Sequence, residues 1–276
     1  MNSPESTRKL AQAYLTSIPP VAAALGFAVG HISYKIYLPV WIVAAFFMAM
    51  AVWILGNKKN LAVNGAFLIL PWLFISIFFG MGPPPGTAAR WVQQATEQQA
   101  RYTILICNGI FMTIGFAILN QQLRKAGEHF YSLLGNTAIM IAIPLFIINM
   151  CYWGFFLTAS FRFFTEEGSV QRPDWYRVSG DFFYVISIVE ISLIYVGTAA
   201  FAASLKKAGL FKPAASRIYI IFCFIGLLLD ILPPRWPEPF ATLSYLASIP
   251  AVPMIMPYLI GIQLLRKQVN AFIGSP

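Results

Sequence analysis

Charge is scarce in this sequence. Only 11% of its 276 residues are Asp, Glu, Lys or Arg, where a soluble domain usually carries about 25%. So few charges cannot clothe a water-facing surface of that size, and lipid is the expected solvent for much of the chain. Histidine is scarcer still. His31 and His129 are the two, near opposite membrane boundaries. That excludes a bis-histidine haem span and a three-histidine zinc centre, which need several converging imidazoles. Cysteine is limited to Cys107, Cys151 and Cys223. They lack CxxC spacing and fall inside apolar segments, so they are expected to pack as small apolar residues. No cofactor and no resident metal are expected. GxGxxG, Walker, HExxH and GxSxG patterns are also missing, which removes the usual nucleotide, zincin and hydrolase readings. An enzyme is therefore not the leading expectation. Nor does the start read as a secretory leader: Arg8 and Lys9 precede an apolar stretch, but Pro19-Pro20 interrupts it and no clean small-residue cleavage site follows. It reads as a first retained span.

What the chain has instead is apolar length. Hydrophobic residues make up 58% of it and the mean hydropathy is +0.69. The apolar segments run over 13–32, 36–56, 61–81, 102–122, 131–160, 181–203, 217–232 and 239–265. About 20 helical residues cross a ~30 Å hydrocarbon layer, whereas barrel strands are half that length and alternate in polarity. The predicted fold is an all-α polytopic transmembrane bundle of about eight spans, filling a single domain over residues 1–276.

The cations orient it. Arg8, Lys9, Lys58, Lys59, Arg124, Lys125, Lys206, Lys207, Lys212, Arg217, Arg266 and Lys267 fall at both ends and in every second connection. The other connections hold Lys35, Arg90, Arg101, Arg162, Arg172, Arg177 and Arg235. The positive-inside rule makes the first set cytoplasmic, so both termini are predicted inside. Seven of the ten acids fall on or near the outer side and two on the inner. The net charge of +9 therefore reads as topology and attraction to anionic lipid. Expected partners are membrane lipids, with further membrane subunits as the alternative, and no nucleic acid. The expected location is multi-pass in the cell (inner) membrane. The outer loops, near 82–101 and 161–180, are longer and richer in Arg, acids and Trp than the inner ones. They are predicted to fold against one another through Arg–carboxylate pairs. Trp91, Trp175 and Trp236 read as interfacial belt residues, and 91–101 as a helical extension of the fourth span.

A weak internal similarity relates QQLRKAGEHF at 121–130 to ASLKKAGLFK at 203–212. Either convergence on one hairpin chemistry or duplication of a helical hairpin accounts for it. Prolines cluster in the last span at Pro250, Pro253 and Pro257. Three in eight residues predict a broken helix that exposes backbone to a cavity.

Glu190 is the strongest candidate functional residue. It lies nine residues beyond Asp181, or ~13 Å deep. An ionisable group at the centre of a span costs about 3 kcal/mol unless paired or protonated, and so marks a candidate site. Asn108, Asn149 and Ser187 are expected to share its depth and to form with it a polar pocket reached from outside. Asp230 and Arg235 flank the stiff turn between the last two spans and form a candidate outer rim, where an Asp–Arg pair holding the turn is the simpler expectation. The leading functional reading is a secondary transporter of a small molecule or lipid with a mid-membrane carboxylate. The alternatives are a structural or accessory subunit of a larger membrane complex, and an intramembrane lipid-modifying enzyme.

Overall fold

A computed structural model describes residues 5–56, 59–166, 174–233 and 236–266. Among them there is no strand. The helices are α1 (Glu5–Val29), α2 (Tyr34–Leu55), α3 (Lys59–Ile75), α4 (Phe78–Met81), α5 (Ala88–Gln93), α6 (Ala95–Lys125), α7 (Phe130–Cys151), α8 (Leu157–Glu166), α9 (Asp174–Lys207), α10 (Pro213–Asp230), α11 (Phe240–Ser248) and α12 (Ile255–Arg266). A π turn over Tyr152–Phe156 joins α7 to α8.

Among the described residues, six stretches are long and apolar enough to cross a membrane: Tyr34–Leu55, Val63–Met81, Ala95–Lys125, Phe130–Thr165, Asp174–Lys207 and Pro213–Asp230. They coincide with six of the segments expected from hydropathy. The segment expected at 13–32 is α1, a helix of 25 residues with Pro19 and Pro20 inside it. The segment expected at 239–265 is broken in two. α11 ends at Ser248, tight turns occupy Ile249–Met254, and α12 begins at Ile255. Pro250 and Pro253 have no N–H to continue the ladder, which is why the helix stops there. The extension expected at 91–101 is likewise interrupted, at Gln94, between α5 and α6.

Carbonyls freed by such breaks are taken up by side chains of neighbouring helices. Pro19 cannot donate to Leu15, and the Leu15 carbonyl instead accepts the Tyr258 hydroxyl of α12 at 2.6 Å. Where α3 yields to α4, Ile77 N–H bonds Phe74 rather than Leu73. The Leu73 carbonyl then accepts Trp41 Nε1 of α2 at 2.9 Å. In the last turn of α11, the Ala247 carbonyl accepts the Tyr195 hydroxyl of α9 at 3.0 Å. Tyr258→Phe, which removes one such donor from a fully buried site, is expected to lower stability by about 1–3 kcal/mol, read as a lower melting temperature in detergent.

The two similar segments have a shared local cause. Arg124-Lys125-Ala126-Gly127 and Lys206-Lys207-Ala208-Gly209 each close a long helix. Gly127 and Gly209 adopt φ of 83° and 69°. The next N–H reaches back five residues, Glu128 to Leu123 and Leu210 to Leu205. This is the Schellman ending, whose left-handed position favours glycine. Turn chemistry accounts for the glycine at the matching position of each segment.

At the same end of the bundle, the buried carboxylate of Glu128 ties three elements together. It accepts the N–H groups of Tyr131 and Ser132 at the start of α7, each at 2.9 Å, and the hydroxyl of Ser204 on α9. Burial pushes its pKa up, but the hydrogen bonds from Ser204, Tyr131 and Ser132 outweigh it, and the group is held below its ordinary value. A depressed carboxylate contributes stability that is present above its unfolded pKa and is lost as pH falls through the folded one. Glu128→Gln is expected to cost about 1–3 kcal/mol at neutral pH. It should also flatten the acid side of the stability–pH curve, measured by thermal melts across pH 3–7.

Candidate functional site

A cavity of about 550 Å³ opens among the helices. It lies toward the opposite end of the bundle from the Gly127 and Gly209 turns. Its walls come from α1, the α3–α4 junction, α6, α7 with its π turn, α9 and the broken Ser248–Ile255 stretch. Proline and glycine dominate where the chain must turn. Gly82 (φ 63°) packs against the Gly30–His31 backbone and is followed by Pro83, Pro84 and Pro85. The π turn inserts an extra residue per turn just where Trp153 reaches the cavity, a local irregularity common at functional sites. Gly154 lets that turn sit directly on Tyr102, whose Cβ would lie 2.6 Å from an added methyl.

Glu190, Asn149 and Ser187 line this cavity together. Glu190 is fully buried (0% exposed). The Asn149 amide donates from Nδ2 to its Oε1 at 2.9 Å. The remaining atoms of the pair, Glu190 Oε2 and Asn149 Oδ1, bond to no protein group. A buried polar atom without a partner costs about 1–3 kcal/mol, so the pair stands ready to accept from a ligand, a water or a proton. The expected foursome is nevertheless a trio. Asn108 is fully buried and neither of its amide atoms is hydrogen-bonded, but it does not reach the cavity wall.

Asp230, expected at the outer rim, ends α10 as a buried residue. Only 3% exposed, it accepts the Ser192 hydroxyl of α9 at 2.9 Å and interacts electrostatically with Glu190. It terminates α10 against α9. Its expected partner Arg235 lies outside the described residues, as do Glu167 and Arg172 of the outer loop. Among the described residues the ion pairs are Lys9–Glu5 and His31–Glu97, not the anticipated Arg–carboxylate set. The outer elements do fold against each other, by apolar and aromatic packing. α5 lies on α8, where Trp91 Nε1 donates to Thr158 at 2.9 Å and its ring meets Phe161 edge-on. Trp91, expected in an interfacial belt, is only 3% exposed because this packing encloses it. Trp175 and Trp236 are exposed.

Arg101 is a further residue at this cavity. Counted from the sequence among the outer-loop cations, it lies inside α6, is 5% exposed and lines the cavity. One guanidinium nitrogen donates to the Gly82 carbonyl at 2.7 Å, and the group lies 5.5 Å from the Phe78 ring centre. The signal was helical spacing. On α6, Ala95, Gln98, the adjacent pair Arg101 and Tyr102, Leu105 and Asn108 are all buried, at steps of three or four residues from one to the next, so Arg101 sits on the inward stripe of α6.

Comparison with known protein families, characterised proteins and solved structures finds none that matches this chain.

Proposed function

We propose that this chain is a multi-pass protein of the cell (inner) membrane, with about eight crossings in one domain and both termini on the cytoplasmic side. Its cavity binds a small organic molecule, which it carries across the bilayer in step with protonation of Glu190. The observation that carries this reading is the Asn149–Glu190 pair. A carboxylate in mid-helix is bonded on one oxygen and left open on the other, at the wall of a cavity large enough for a ligand. Pockets that hold organic ligands are mostly apolar with a few convergent polar groups, and Trp72, Trp153 and Tyr245 supply such a lining. The broken last helix adds backbone to the same wall, as in carriers whose discontinuous helices meet at the substrate site.

The experiment is purification and reconstitution. In proteoliposomes, an imposed proton gradient should drive uptake of a bound solute, and reversing the gradient should reverse it. Uptake indifferent to the gradient rejects proton coupling. Recovery of the chain only in stoichiometric association with other membrane proteins, with no solute movement, supports an accessory-subunit role instead. Cysteines placed at Gly127 and Gly209 should react with an impermeant thiol reagent only from the cytoplasmic side. Labelling from opposite sides rejects the topology.

A further inference from the structure

A cation buried in a protein needs an anion, and Arg101 has no ion-pair partner among the described residues. The guanidinium keeps its charge at every physiological pH. Desolvating such a charge is costly unless a counter-charge or full hydrogen bonding offsets it. Here the offset is incomplete: a single neutral carbonyl, Gly82, accepts from Nη2, and Nε has no partner. Glu97 stands one turn earlier on α6, where an acid would normally pair with Arg101. It attracts Arg101 only through space, because its oxygens are engaged elsewhere, with Oε2 2.9 Å from His31 Nε2 and Oε1 3.3 Å from the Tyr37 hydroxyl. No ion pair to Arg101 forms among the described residues. The side chain instead borders the same cavity as Glu190, beside an aromatic wall that includes Phe78, Tyr102 and Trp153.

We propose that the ligand of this cavity is an amphipathic organic anion. Its carboxylate or phosphate docks on Arg101 and its apolar body lies along the aromatic wall, which leaves the inner end to Asn149 and Glu190. The assignment rests on the cavity being a ligand site. Arg is suited to the role because its planar fork offers two parallel N–H groups to a carboxylate or phosphate. The same chemistry is presented by a soluble fatty carboxylate and by the headgroup of an anionic phospholipid.

The test uses the full chain in neutral maltoside micelles and a series of ten-carbon probes that differ only in head: decanoate, decyl phosphate, decanol and decyltrimethylammonium. Trp72, Trp91 and Trp153 at the cavity wall report occupancy through their fluorescence, referenced to protein-free micelles. Decanoate and decyl phosphate are expected to bind saturably and at least about tenfold more tightly than decanol, with decyltrimethylammonium weakest. Arg101→Gln should remove that tenfold preference and leave decanol unchanged. If Arg101→Gln does not fold, the head-group series on the natural chain decides alone. Equal binding of decanol and decanoate, or tighter binding of the ammonium probe, overturns the anion assignment and leaves the cavity as a ligand site. Saturable binding of none of the four overturns the cavity reading itself. Repeating the decanoate titration in phosphatidylglycerol and phosphatidylcholine nanodiscs separates the two sources. Loss of the signal only in phosphatidylglycerol identifies a lipid headgroup as the occupant, and an equal signal in both identifies a soluble anion.

Discussion

Glu190→Gln is expected to lower proton-driven accumulation sharply while leaving the protein folded. The glutamine amide oxygen can accept the same Nδ2 bond from Asn149 that Glu190 Oε1 accepts at 2.9 Å, so the helix α7–α9 contact is preserved. What the substitution removes is the only property a glutamine cannot copy, the exchange of a proton. If ligand and proton are coupled at this carboxylate, uptake down a proton gradient should fall by about 5- to 150-fold, the usual range for coupling between sites. The dependence of uptake on pH should become flat. Binding measured at equilibrium should change less than accumulation, because the cavity walls are intact. Accumulation and pH profile identical to the natural chain would remove Glu190 from the mechanism and return it to a packing role. Asn149→Leu is the companion case. It strips the donor from Glu190 and adds an apolar group at the cavity wall, so a loss of folded protein there alongside a folded Glu190→Gln would mark Asn149 as the member that holds the pair in place.

Gly197→Leu is expected to prevent recovery of folded protein. α7 and α9 are the most extensively packed pair of helices, and they cross at two glycines. A Cβ added at 197 would lie 2.8 Å from Ile139 Cγ1 and 3.1 Å from the Gly135 carbonyl. A Cβ at 135 would meet Phe201 at 2.9 Å and the Gly197 carbonyl at 3.0 Å. Within lipid, helices gain little from burying apolar surface against one another, and close approach at small residues supplies the packing instead. Overpacking such a crossing costs typically 1–3 kcal/mol, and a leucine, four carbons larger than glycine, sits at or above about 3 kcal/mol. Gly209→Ala is the control. An added Cβ there meets nothing within 4 Å, so only its positive φ is penalised, by about 1 kcal/mol. Size-exclusion profiles and thermal melts should therefore separate the two sharply. A Gly197→Leu protein that elutes and melts like the natural chain would show that the two backbones do not approach this closely.

Much of this was legible in the amino-acid order. Long apolar runs with few charges predict helices able to cross a membrane, and six such helices are present. Each satisfies its own backbone, so hydropathy alone locates it whatever it packs against. Proline clustering predicts the break in the last helix for a similar reason, since a missing N–H acts within its own chain segment. Glu190 stands out because a lone acid in an apolar run is conspicuous without knowledge of its neighbours.

Tertiary structure decided which side chains meet. In a nearly uniform apolar helix no strong polar stripe marks the inward face, so rotation about the helix axis is set by close packing at residues such as Gly135 and Gly197. That rotation brings Asn149 to Glu190 and Arg101 to the same cavity, turns Asp230 onto Ser192, and leaves Asn108 away from the cavity wall. Hydrocarbon content specified the helices and their breaks because those depend on local backbone and solvent. The cavity and its charges belong to the contacts between helices, which no single segment encodes.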